Sequence, residues 1–224
     1  MKNYKCWYNN VCTKSNSNQD CRNDCIRYLS MVKLIEESGL PNHLIYPKTL
    51  NPTLSEVESY DLLKDIKDKA DLFVEKGKCL YIYSNICGNG KTTWASKIML
   101  SYFNKTWALT GFIKKGIFIY TPELINRLKV QYINNESLSE EINQLKNCNL
   151  LILDDLGVTD FTANDLNNIL DIIDYRINNN KSIIFTSNLD KESLLKKFGG
   201  RLTSRVFNNS IQVELGGFDR RSNK

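Results

Sequence analysis

The chain has 224 residues, enough for one ordinary core and a small appendage. Its 42% hydrophobic and 25% charged residues exclude a disordered chain and a membrane-like one. A net charge of +5 permits contact with nucleic acid but falls well short of a protein that coats phosphates.

Residues 1–24 are rich in Asn, Ser and Cys and show no helical or strand periodicity. From Cys25, apolar residues at Ile26, Leu29, Val32 and Leu34/Ile35 approach helical spacing, and Gly39 with Pro41 stops the helix. The stretch PNHLIYPKTLNPTLSE holds three of the four prolines and reads as an extended linker, with His43, the one histidine, on its surface. From Glu56 to Lys76 an amphipathic helix is predicted, with Leu62, Ile66 and Phe73 on its apolar side and Gly77 at its end. Cys79–Ser84 is a short apolar run that suits a buried strand; a glycine-bearing loop follows it, and TWASKIMLSYF resumes helical spacing.

Further strands are predicted at Gly116–Thr121, in LLILDDLG and in SIIFTSN. A helix opens at Pro122, and another runs through NDLNNILDIIDYRINN. Strands alternating with helices imply an α/β fold, a parallel sheet with helices on both faces. No apolar run reaches the ~20 residues of a membrane span, and the polar opening MKNYKCWYNN is no signal-peptide core, so a cytoplasmic location is expected.

Strand, loop and helix are the setting a phosphate loop requires. Asn85-Ile86-Cys87-Gly88-Asn89-Gly90-Lys91-Thr92 matches G-x-x-x-x-G-K-[ST] at seven of eight positions, with Thr93 next, and departs at Asn85. Gly88 and Gly90 let the backbone wind its N–H groups around phosphates, and the helix that follows adds its positive end. Lys91 is expected to reach the β- and γ-phosphates of ATP, and the Thr92 hydroxyl to ligate Mg²⁺. Asn tolerates a left-handed backbone better than other non-glycine residues, so the loop is expected to work. Asp154 and Asp155 close an apolar strand: Asp154 would hold Mg²⁺, and Asp155 would orient or deprotonate the attacking water. Asn188, just after SIIFTS, could hydrogen-bond both phosphate and water. Arg201 and Arg205 lie four apart, hence on one helix face; either could be an arginine finger, or both part of a solvated basic face.

NICGNGKT, LLILDDLG, SIIFTSN and GGRLTSR, in this order, resemble AAA+ ATPases of the DnaC/DnaI type, loaders of the replicative helicase. The resemblance runs from about Tyr60 to the C-terminus. It implies a P-loop AAA+ fold with the helical lid absent or vestigial, Lys91 and Thr92 as Walker A, Asp154 and Asp155 as Walker B, and Asn188 as sensor 1. It further implies Arg205, or else Arg201, as the finger. The implied partners are the hexameric helicase, single-stranded DNA and further copies of the chain joined through the ATP sites, with no membrane role. The tail GFDRRS looks like the family's closing segment at shorter spacing. Residues 1–40 would form a Cys-rich helicase-binding module, 41–55 a linker and 56–224 the ATPase domain.

Cys6, Cys12, Cys21 and Cys25 stand as C-x5-C-x8-C-x3-C in a segment too polar to bury a core. Four thiolates on one Zn²⁺ would supply folding energy; free thiols and redox disulfides are the alternatives. Some loaders of the type it resembles carry a zinc-bearing N-terminal domain. Cys79, Cys87 and Cys148 read as small apolar residues in or beside core elements. Two other functions stay open on sequence: a transposition helper ATPase of the IstB type, and a nucleotide-binding adaptor without turnover.

Overall fold

The computed structural model describes residues 4–8, 12, 24–108, 115–134 and 139–221. Five strands, β1 Cys79–Tyr83, β2 Gly116–Tyr120, β3 Leu150–Asp154, β4 Ser182–Ser187 and β5 Ser210–Glu214, form one sheet in the order β2-β3-β4-β1-β5. Every pairing is parallel. The apolar runs alternate as a strand requires, because successive side chains point to opposite faces. Leu80, Ile82, Leu150, Ile152 and Ile184 enter one core; Tyr81, Leu151, Leu153, Ile183 and Phe185 enter the other. Both faces are therefore buried, as in parallel sheets generally.

On the first face lie α1 Ile26–Ser38, α2 Val57–Asp68, α3 Ala70–Glu75 and α4 Lys91–Thr106. On the second lie α5 Thr121–Asn134, α6 Ser139–Asn147, α7 Ala163–Asn178 and α8 Lys191–Asn209. A reciprocal cap starts α7, with Thr162 N donating to Asp165 Oδ2 at 2.8 Å and Asp165 N to Thr162 Oγ1 at 3.2 Å. Asp190 caps α8 by accepting from Ser193 N at 2.8 Å. Within α8, Gly199 has φ 78° and ψ 174°, so the element is two helices meeting at a kink.

Several expectations shift. The predicted helix over Glu56–Lys76 is two, broken at Lys69 (φ −115°, ψ 32°), and its buried face is Tyr60, Leu63, Ile66, Ala70 and Phe73, with Leu62 40% exposed. In α1 the buried face is Tyr28, Met31, Val32 and Ile35, while Ile26 is 72% exposed. The predicted extended linker contains 3-10 turns at Asn42–Leu44 and Leu54–Glu56 and buries Leu44 and Ile45. The strand β5 had no forecast.

Candidate nucleotide site

Strand order reverses between β1 and β4, and parallel α/β sheets place ligands beyond the strand C-termini at such a point. The loop after β1 is tied to the end of β4 by Ser84 N donating to Ser187 O at 3.2 Å. Gly88 (φ 72°) and Gly90 (φ 109°) take left-handed conformations, the winding a phosphate cradle needs. Asn85 does not: among the described residues the only non-glycine positive φ angles are at Asp155 and Asn180. The departure from the template therefore costs no backbone strain. Ile86 N donates to Ser84 Oγ at 3.1 Å and holds the loop's entry.

Lys91 opens α4 and is buried, its Nζ donating to Ile86 O at 2.9 Å, Asn89 Oδ1 at 3.3 Å and Ser84 O at 3.5 Å. Burial holds the amine below the usual lysine range, opposed by the charge of Asp155. Thr92 and Thr93 follow in the first helical turn. Cys87 is exposed on the loop rather than in the core, which corrects its reading as a small apolar residue; Cys79 and Cys148 are buried as expected.

Asp154 ends β3 and is 5% exposed. Thr186 Oγ1 donates to Asp154 Oδ1 at 2.7 Å and accepts from Asp155 N at 2.9 Å. Burial, then the neighbouring Asp155, pushes the Asp154 carboxyl up to about 6, against the Thr186 and Thr92 hydroxyls and Lys91. A buried acid held by the Thr186 hydroxyl, with a half-buried acid next to it and a phosphate loop nearby, suits a hard divalent cation such as Mg²⁺. Asp155, at φ 56°, turns sharply out of the strand; burial raises its carboxyl, offset by Lys91 and Arg221. Tyr120 pairs with Asp154 across the β2–β3 ladder, and burial and both acids raise its phenol.

Asn188 directly follows β4, half-buried, on the edge that carries the phosphate loop and the acids. Arg201 and Arg205 sit apart from this cluster in the second half of α8. Arg201 is exposed, whereas Arg205 forms an ion pair with Asp174 and donates to Arg201 O at 3.1 Å. Of the N-terminal thiols, Cys21 lies outside the described residues, and Cys6, Cys12 and Cys25 are free and half-buried. Among the described residues no group of three His, Cys, Asp or Glu side chains is arranged to hold a metal. Sequence reasoning missed Thr186 as the partner of Asp154. Its signal was a hydroxyl inside an apolar strand, one step past the Leu153–Phe185 pair.

A phosphate loop after β1 of a parallel sheet, with an acid pair at the end of β3, one strand beyond the adjacent β4, defines a P-loop nucleotide-binding protein. The chain belongs to the family of IstB-like ATP binding proteins, whose model matches residues 68–208. It is 25% identical over 159 residues to the replicative helicase loader DnaI of Bacillus subtilis (strain 168), covering 65% of this chain and 48% of that protein. It is 28% identical over 133 residues to the replicative helicase loader DnaC of Buchnera aphidicola subsp. Baizongia pistaciae (strain Bp), covering 58% of this chain and 51% of that one. The chain thus spans about half the length of these relatives. A crystal structure of the DnaC helicase loader superposes with a TM-score of 0.63 at 25% identity, covering 75% of this chain and 95% of that chain. Among the described residues no helix is long and apolar enough to cross a membrane.

Proposed function

We propose that this chain is an ATPase that helps place a replicative DNA helicase on single-stranded DNA, with ATP binding and hydrolysis controlling assembly and release. One observation carries the reading: Gly88 and Gly90 wind the loop left-handed ahead of a buried Lys91, on the same sheet edge where β3 ends in the buried Asp154.

The loop amides and the N-terminus of α4 bind the triphosphate, and Lys91 exchanges its carbonyl partners for phosphate oxygens. Thr92 and Asp154 would hold Mg²⁺, which supplies charge neutralisation on the phosphates when bound. Asp155 orients a water and accepts its proton, and Asn188 aligns that water with the phosphate. Arg205, or Arg201 beside it, acts in the site of a neighbouring copy; the pairing with Asp174 keeps Arg205 parked until that neighbour arrives. The N-terminal segment, residues 1–40, carries the helicase contact, joined through 41–55 to the ATPase domain of 56–224. Zinc at Cys6, Cys12, Cys21 and Cys25 belongs to this proposal and rests on the spacing of those thiols.

The test has two arms. ATP turnover is measured with and without helicase and single-stranded DNA, for the wild type and for Asp155→Ala. Turnover that Asp155→Ala abolishes, with binding retained, is expected; no hydrolysis under any condition would favour a nucleotide-binding adaptor. Affinity capture should bring down a replicative helicase, and recovery of a transposase instead would overturn the loading role.

A further inference from the structure

The last described stretch, Leu215–Arg221, leaves the sheet beside β5 and folds back across the phosphate loop. Arg220 makes the central contacts: its N donates to Gly88 O at 3.1 Å and its Nε to Asn89 O at 3.2 Å. One terminal nitrogen donates to Asn51 O at 2.7 Å, and the other pairs with Glu56 Oε2 at 2.7 Å. The Glu56 side chain is fully buried and that of Arg220 is 14% exposed, so water screens the pair little.

Asn89 occupies a position the phosphate-loop template leaves open, yet it too is fully buried. Its Nδ2 donates to Leu215 O at 2.9 Å and Gly216 O at 3.2 Å, while its Oδ1 accepts from Lys91 Nζ. One amide therefore bridges the phosphate-binding lysine and the tail. Close approach demands glycine on both sides. A Cβ at Gly88 would lie 1.9 Å from Asp219 Oδ1, and one at Gly217 would lie 2.7 Å from Glu56 Oε2.

We infer that Arg220 is a positioning residue for nucleotide binding: with Glu56 and Asn89 it clamps the tail onto the phosphate loop and ties the loop's shape to the segment Asn51–Glu56. This rests on the reading of Asn85–Thr92 as the phosphate loop. A phosphate loop binds through backbone N–H groups, and in a trans peptide the carbonyl of one residue points opposite to the N–H of the next. Arg220 holds the carbonyls of Gly88 and Asn89 toward the tail. It thereby turns the N–H groups of Asn89 and Gly90 away from the tail, toward the inside of the loop. A phosphate that draws Lys91 off Asn89 Oδ1 changes the amide that also holds the tail, so occupancy is felt at Leu215 and Gly216.

The test titrates full-length protein with a fluorescent ATP analogue and Mg²⁺, below the melting transition of every variant. Arg220→Ala should weaken binding by about tenfold or more. Glu56→Gln should weaken it less, and the double variant should be no worse than Arg220→Ala, because both act through one pair. Arg220→Lys, which keeps the charge but cannot span Asn51, Glu56 and Asn89 together, should fall between wild type and Arg220→Ala. If Arg220→Ala does not fold, Glu56→Gln and Arg220→Lys carry the comparison. Unchanged affinity with lowered melting temperatures, or strictly additive losses, would overturn the assignment. Lys91→Ala is the reference: if it binds the analogue as the wild type does, the phosphate-loop reading itself fails, whatever Arg220 does.

Discussion

A buried arginine and a half-buried one stand at opposite ends of the sheet and hold different kinds of partner. Arg176, on α7, is fully buried below the strand N-termini. It donates to the carbonyls of Leu145, Cys148 and Ser182 at 2.6, 2.9 and 2.5 Å and to those of Lys146 and Asn149 at 3.2 Å. Those carbonyls end α6 and lead into β3 and β4, so one guanidinium sews together the starts of two strands. Arg220, at the other end, divides itself between carbonyls and a carboxylate, on segments that flank a ligand loop. The carbonyls round Arg176, with the Cys148 sulfur at 3.2 Å, belong to the frame and make a fixed fastening. A partner set shared with a phosphate loop can respond to what the loop holds.

The largest effect should come from the fixed end. Arg176→Met strands five acceptors together, three of them buried, and a loss of roughly 3–5 kcal/mol is expected in denaturant unfolding. Nucleotide affinity of the remaining folded protein should stay close to wild type. A loss in affinity matching the loss in stability would erase the contrast between the two ends. Lys91→Ala should do the reverse. Removing a buried amine whose partners are carbonyl and amide oxygens relieves desolvation, so the melting temperature should hold or rise while ATP turnover falls by about 100-fold or more. A parallel fall in stability would show that the lysine is part of the frame.

Thr186→Val sharpens the contrast within the ligand end. The near-isosteric change removes the donor to Asp154 Oδ1 and the acceptor of Asp155 N. It should cost about 1–2 kcal/mol of stability and about tenfold in turnover, with ATP affinity less affected. Equal losses in affinity and turnover would mean that Thr186 serves binding rather than placement of the acids.

The ligand end was largely legible in sequence, the fastenings were not. β1, β3 and β4 announce themselves because each is a continuous apolar run ending in a polar motif, as doubly covered strands do. β5 hides: Ser210-Ile211-Gln212-Val213-Glu214 alternates like an edge strand, and it follows α8 directly, with no residue between Asn209 and Ser210. The break at Lys69 has no proline or glycine to mark it. Leu62 and Leu63 are equally apolar, and only packing against α4 decides that Leu63 is buried. Arg220 and Arg176 escape for a different reason. Most of their partners are backbone carbonyls, and the Asn51 contact of Arg220 lies 169 positions away, where spacing rules have no reach.

The smallest effect concerns Glu56 and its dependence on pH. Burial pushes this carboxyl up, but hydrogen bonds from the Thr53 backbone and hydroxyl, and the charge of Arg220, outweigh it and hold the group below its ordinary value. A depressed folded-state value means stability that is fully present above the unfolded value and lost as pH falls through the folded one. The wild type should therefore exceed Glu56→Gln by about 1 kcal/mol near neutral pH. Melting curves taken from about pH 7 down to about pH 3 should show that margin shrinking below the ordinary glutamate range, because there both side chains are neutral. With saturating ATP and Mg²⁺ the margin at neutral pH should widen, since a ligand that binds the clamped loop more tightly adds its differential affinity to the pair's own contribution. A margin that ATP leaves unchanged would place Glu56 and Arg220 with Arg176, as a second fixed fastening at the other end of the sheet.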